Sequence, residues 1–176
     1  MIKRTLIFGL FYTLFVSFLV PEEVGKKADK VIRDYFEKTY FSKEIISISP
    51  RVLQNLPASF SEDNFFKIID QNKLLGYGFI GNAPSKTATF DYLVLFDEDW
   101  IILKSKVLIY REEYGGEIAS KRWLKQFEGN SSSAQELLYV KDIIPISGAT
   151  ISSQSMTKAI NNLLKSIKLL QQEKII

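Results

Sequence analysis

Residues 74–112 read LLGYGFIGNAPSKTATFDYLVLFDEDWIILKSKVLIYRE, and their hydrophobic period decides the fold class. Three runs, residues 74–81, 90–97 and 100–112, are short and rich in β-branched and aromatic side chains. NAPSKTAT and DED between them have turn compositions, so the stretch predicts three strands of a largely antiparallel sheet. Gly76, Gly78 and Gly81 alternate inside the first strand, without the Lys-Ser/Thr pair that closes a phosphate loop. They are expected at bulges or at close backbone contacts.

Helical periods flank this sheet. In EEVGKKADKVIRDYFEKTYF, residues 22–41, Val24, Ala28, Val31, Ile32, Tyr35 and Phe36 form one apolar stripe at helical spacing. SEDNFFKIID, residues 61–70, predicts a short helix with Ser61 as N-cap and acidic residues in its first turn. Beyond the strands, Gly115 and Gly116 allow a sharp turn. A short helix carrying Ile118, Trp123, Leu124 and Phe127 is expected to follow, ended by Gly129. LLYVKDIIPI, residues 137–146, reads as a final strand or extended segment. From about Ser152, Met156, Ile160, Leu163, Leu164, Ile167 and Leu170 mark a terminal helix whose apolar face must pack on the sheet. With no internal repeat or linker, the reading is one α+β domain over residues 22–176, a largely antiparallel sheet packed by helices.

Composition narrows the chemistry. Apolar residues make up 46% of the 176 and charged residues 24%, which suits a globular core and argues against long disorder. A formal charge of +3, with lysines spread along the chain, gives no nucleic-acid footprint. The chain has neither cysteine nor histidine, so thiolate nucleophiles, iron–sulfur ligation, disulfides and the commonest general base and metal ligand are all excluded. Any redox chemistry therefore requires a bound organic cofactor.

At the start, Lys3 and Arg4 precede an uncharged run over residues 5–20, followed by Glu22 and Glu23. The run is longer than a signal-peptide core of about 7–15 residues and shorter than a comfortable membrane span of roughly 20. Residues 1–21 are read as a signal peptide or membrane anchor. The charge order places the remainder outside the cytoplasm, in the periplasm or on the outer face of the cytoplasmic membrane.

Just before the terminal helix stands SGATISSQSM, residues 147–156, with five hydroxyl side chains. Serine and threonine are preferred helix caps, and that is one reading. The other is an anion site, since a helix entrance offers unpaired N–H groups and the positive end of its dipole, and Gly148 and Ala149 give close access. Ser155 and Lys158 also fit the S-x-x-K spacing of penicillin-binding enzymes, but the partner motifs S-D-N and K-T-G are absent. The acidic runs at residues 97–99 and 112–113 read as turn or surface charge.

SGATISS resembles the S-G-A-T-x-[ST] motif of the FMN-binding domain family, which includes flavin-carrying subunits of the sodium-pumping NADH:quinone oxidoreductase and of Rnf complexes. GYGFIGNAPSKTATFDYLVLFDED, VLIYREEYGGEIASKRWLKQFEG and the terminal helix follow the family's order, so the likeness spans roughly residues 74–170. The resemblance implies FMN attached through its phosphate to Thr150 by a flavin transferase. It further implies a phosphate pocket shaped by Ser147, Gly148 and Ala149, with Ser152 or Ser153 donating to phosphate oxygens. Residues 113–118 take the place of the family's ring-side turn, which makes Arg111, Glu112, Tyr114, Gly115, Gly116 and Lys121 the expected ring or phosphate neighbours. Trp123 at helical spacing with Phe127 reads as core.

An exported electron carrier follows from the resemblance, with substrate turnover left to redox partner proteins or a membrane respiratory complex. Two departures bear on maturation and partners. Ile144 stands three positions before the motif serine, where the family commonly has an acidic residue, and Asp142 lies two residues earlier. The ring-side turn also lacks the threonine, proline and leucine of the larger respiratory subunits. Other readings are an exported binding or assembly module of the same fold without covalent flavin, and a flavin reductase-like enzyme holding FMN loosely.

Overall fold

The computed structural model describes residues 19–176, so the expected export segment lies outside the described residues except for its last three. Among the described residues, no helix is long and apolar enough to cross a membrane. The chain folds as a single α+β domain around a five-stranded antiparallel sheet in the order β1-β2-β3-β4-β5. The strands are β1 (Ser42–Ile45), β2 (Phe65–Asp70), β3 (Lys73–Pro84), β4 (Thr89–Phe96) and β5 (Ile102–Tyr110). Each strand pairs with its neighbour in sequence. Such a meander needs only short reversals, and the chain supplies them. Gln71 and Asn72 join β2 to β3 with φ of 47° and 66°, the doubly left-handed backbone that matches a two-residue hairpin to sheet twist. At the β4–β5 reversal the Asp97 carboxylate accepts the N–H groups of Asp99 and Ile101 at 3.0 and 2.8 Å. The acidic run there is turn chemistry.

β4 lies inside the sheet between β3 and β5, and its side chains alternate between two cores. Phe90, Tyr92, Val94 and Phe96 belong to the larger cluster, which includes Met156, Ile160, Leu163, Ile167 and Leu170 of the terminal helix α4 (Thr150–Gln172). Leu93 and Leu95 face the other way, toward Val24, Ala28 and Ile32 of α1 (Glu22–Phe36). The apolar stripe expected in α1 is the buried one, with Val31 and Phe36 packed beside it and Tyr35 partly exposed. Between β5 and α4 the chain makes a 3-10 turn at Gly116–Ala119, the single-turn helix α3 (Lys121–Leu124) and a second 3-10 turn at Lys125–Phe127. Gly129, at φ 82°, follows where a helix stop is expected. A further short helix, α2 (Pro50–Leu53), lies in the loop between β1 and β2.

Two segments depart from the sequence expectations. Within SEDNFFKIID, Phe65–Asp70 is strand β2, and no helix capped by Ser61 forms. Ser61 instead donates its N–H to Asn64 Oδ1 at 2.9 Å and its hydroxyl to Asp63 at 3.0 Å, closing a turn ahead of the strand. Phe65 enters the α4-side core while Phe66 and Ile68 enter the α1-side core. Filling both cores needs a period of two, which overrides the local preference for a helix start. Residues 137–146 contain no ladder strand. An isolated bridge joins Tyr139 to Ile143 around a tight turn, and Asp142 closes that turn by accepting the Leu138 N–H at 2.8 Å.

Two of the β3 glycines are demanded by close approach. A Cβ on Gly78 would run into the Phe66 ring, and one on Gly81 into the Tyr92 ring. Both aromatic rings are buried from opposite faces of the sheet. Replacing Gly81 by alanine overpacks the site, with an expected loss of about 1–3 kcal/mol. Urea unfolding of Gly81→Ala should show a lower midpoint with an unchanged slope.

Candidate functional site

The first turn of α4 is not capped by any side chain. Ala149 is the N-cap, with φ −128° and ψ 31° and no side-chain bond to the leading amides. The first intrahelical bond runs from the Ser153 N–H to the Ala149 carbonyl at 2.9 Å. The amides of Thr150, Ile151 and Ser152 are thus the leading groups that the helix itself leaves unpaired. The hydroxyls around them do other work. Ser153, fully buried, bonds to the Ala149 and Thr150 carbonyls at 2.9 and 3.1 Å and to the Tyr139 hydroxyl at 2.8 Å. Ser152, also buried, lies 3.1 Å from the Tyr110 hydroxyl. Ser147 and Thr150 are exposed. Of the two readings of this hydroxyl-rich stretch, the side-chain cap is not made.

Gly148 precedes the helix at φ 79°, a conformation that disfavours any L side chain, and open space surrounds the position of its missing Cβ. The α3 region holds the approach to it. Trp123 Nε1 donates to the Ile144 carbonyl at 2.7 Å, and the Ile144 N–H donates to Gln126 Oε1 at 2.8 Å. Trp123 is buried edge-on to Phe127 as core. The Ile144 side chain, by contrast, is 68% exposed. Asp142 does not stand in for an acid there, because its carboxylate is committed to the Leu138 N–H.

The glycine turn after β5 abuts this entrance. At φ 80°, Gly115 places the position of a Cβ 2.9 Å from the Ala149 Cβ, 3.0 Å from the Tyr110 hydroxyl and 3.3 Å from the Gly148 carbonyl. Tyr114 beside it is 81% exposed, and Gly116 opens the 3-10 turn that buries Ile118. Ser147, Gly148, Ala149, Thr150, Ser152, Ser153, Tyr114, Gly115 and Gly116 are therefore gathered in one place. Arg111 and Glu112 are not brought there. The Arg111 guanidinium donates to the Thr89 carbonyl at 3.1 Å and pairs with Asp91 at 2.5 Å. Asp91 alternates with Tyr92 and so shares the α1 side of the sheet with Leu93 and Leu95. Lys121 is exposed in the first turn of α3. Among the described residues, no group of acidic side chains could hold a metal ion.

Residues 87–165 match the family model of the FMN-binding domain. The match covers a little under half of the chain, and over that segment the chain is similar to an FMN-binding domain. No curated protein matches the chain. The matched segment runs from the β3–β4 loop through the glycine turn into α4, and so contains both halves of the site. As a test of fit, the entrance combines an exposed Thr150 hydroxyl, three leading amides without a side-chain cap and a glycine with open space in front of it. These residues fit a phosphate monoester, which the amides and the positive helix end favour without any cationic side chain.

Tyr110 and Tyr139, which bond to the motif's two buried serines, were not singled out by the sequence. Tyr110 at the end of β5 looks like any other strand aromatic, and Tyr139 lies in a stretch read as a strand or extended segment. Glu112 is engaged away from the helix entrance. Its carboxylate accepts the Ser85 hydroxyl at 2.6 Å, the Thr87 N–H and hydroxyl at 2.6 and 2.7 Å and the Ala88 N–H at 3.1 Å. Those bonds, led by the one from Ser85, pull its pKa down from 4.5 to about 2. A lowered folded-state pKa means stability that is complete above pH 4.5 and lost as pH falls toward about 2. The melting temperature of wild type should thus exceed that of Glu112→Gln by a constant amount above pH 4.5, with the difference vanishing near pH 2.

Proposed function

We propose that the domain is an electron carrier with FMN esterified through its phosphate to Thr150. The observation that carries this reading is the exposed threonine at an uncapped helix entrance, inside an S-G-A-T-x-S sequence and within a segment matched by the FMN-binding domain. Bound flavin supplies one- and two-electron chemistry that a chain without cysteine or histidine does not provide from its side chains. The protein's part is to hold and orient. The leading α4 amides and the helix dipole bind the phosphate, and Gly148 allows its approach. The glycine turn at residues 113–118 borders the same entrance, with Gly115 set against Ala149 and Gly148.

Export supports a covalent link. Lys3 and Arg4 ahead of the uncharged residues 5–20 favour delivery outside the cytoplasm, where a dissociating cofactor would be lost by mass action. A flavin transferase is then the maturation partner, and redox proteins or a membrane respiratory complex are the electron partners of residues 22–176. A second reading, an exported binding or assembly module of the same fold, is favoured by one observation. The exposed apolar Ile144 occupies a place where the family commonly carries an acid, and Asp142 is engaged elsewhere.

Intact mass decides between them. After co-production with a flavin transferase and denaturation, wild type should gain one FMN less one water and fluoresce in a gel. Thr150→Ala should show neither, while its stability stays within about 0.5 kcal/mol of wild type, as for an exposed substitution. An adduct retained by Thr150→Ala would move the acceptor, with exposed Ser147 first in line. An unmodified wild type would favour the flavin-free module.

A further inference from the structure

Three segments meet at one atom, the hydroxyl oxygen of Tyr110. Tyr110 ends β5 and is half-buried, with its ring 6.0 Å from that of Phe90. The hydroxyl lies 3.1 Å from the Tyr114 carbonyl in the glycine turn and 3.1 Å from Ser152 Oγ in the first turn of α4. A phenol has one proton, and a backbone carbonyl only accepts. The direction of the chain is therefore fixed: Ser152 donates to Tyr110, and Tyr110 donates to the Tyr114 carbonyl. Tyr114 also supplies the peptide carbonyl that precedes Gly115, so the bond sets the turn at the residue that touches Ala149.

We propose that Tyr110 is the positioning residue of the site, holding the glycine turn against the α4 entrance through the Ser152–Tyr110–Tyr114 chain. Ser152 belongs to this chain, because its proton is spent on Tyr110 and not offered to a phosphate. Gly115 completes the arrangement. Its missing Cβ is the space that lets the turn close onto Ala149 and the Tyr110 hydroxyl together. Any group held at Thr150 then meets a turn whose backbone dipoles stand in fixed directions, and fixed dipoles beside a redox group tune its potential. This last consequence rests on the flavin reading, whereas the positioning itself does not.

The experiment has two arms that fail separately. In full-length protein produced without flavin, exchange of the hydrogen-bonded amides of Ile118 in the turn and of Ala149 and Ser153 at the entrance is compared among wild type, Tyr110→Phe, Ser152→Ala and the double variant. Tyr110→Phe keeps the ring packed on Phe90 and removes only the hydroxyl. Each single variant should speed exchange in both segments about fivefold, the scale of one hydrogen bond. The double variant should do no more than Tyr110→Phe, since that substitution already removes both bonds of the chain. Unchanged exchange in Tyr110→Phe, or effects of the two substitutions that add, would overturn the proposal. In flavin-loaded protein, Tyr110→Phe should also displace the midpoint potential from that of wild type and of an exposed control, Gln154→Ala. A potential that does not move would remove Tyr110 from the site. Failure of wild type to take up flavin would refute the flavin reading, and the exchange arm would still decide the role of Tyr110.

Discussion

Strand β4 is buried on both faces, and covering those faces organises the rest of the domain. From residue 90 to residue 96 every side chain is inside, alternating between the α4 core and the α1 core. A strand in that position must have pairing partners on both edges and an amphipathic helix on each face. β3 and β5 supply the edges, and α1 and α4 supply the layers. Once the apolar stripe of α4 is laid on the sheet, its first turn emerges at the end of β5, beside Tyr110. The position of the helix entrance is thus a consequence of core packing.

Charged side chains contribute little to that entrance. Arg111 is paired with a buried aspartate on the α1 side, and Glu112 ties down the loop between β3 and β4. What gathers around Thr150 is backbone: three leading amides, two glycines with positive φ and a carbonyl fixed by a tyrosine. Such a site suits an anion because N–H dipoles and the helix end supply positive potential that does not titrate. Thr150 is the hydroxyl of the motif that stands at the helix start and faces solvent. The two buried serines act inward, on Tyr110 and Tyr139.

Much of this was legible in advance, and the exceptions share a cause. The three central strands, the stripes of α1 and α4 and the core role of Trp123 follow from period and composition, which survive folding because burial enforces them. The motif was legible as a hydroxyl-rich entrance with Gly148 at its head. β2 was misread because Ser61 and the acids after it form a helix-start signature, while the need to place Phe65 and Phe66 in opposite cores is invisible locally. Residues 137–146 lack a partner strand to pair with, which composition does not report. Glu112 and Arg111 looked like neighbours of the site because they adjoin the glycine turn in sequence. Arg111 takes the face opposite to Tyr110, where it meets Asp91, while the Glu112 carboxylate is drawn to the β3–β4 loop by Ser85, Thr87 and Ala88, so nearness in sequence misleads there.

The amino-acid sequence by itself determined the class of fold, the faces that are buried and the chemistry available, including the absence of thiol and imidazole. It also marked residues 147–156 as a hydroxyl-rich helix entrance, with a side-chain cap and an anion site both open to it. Tertiary structure alone decided which hydroxyl is presented and which are consumed. It also decided that the glycine turn closes on Ala149 and that Tyr110 joins the two. The physical reason is range: periodicity and turn chemistry act over a few residues, whereas the bond between Tyr110 and Ser152 joins groups 42 positions apart and exists only after the sheet and α4 have packed.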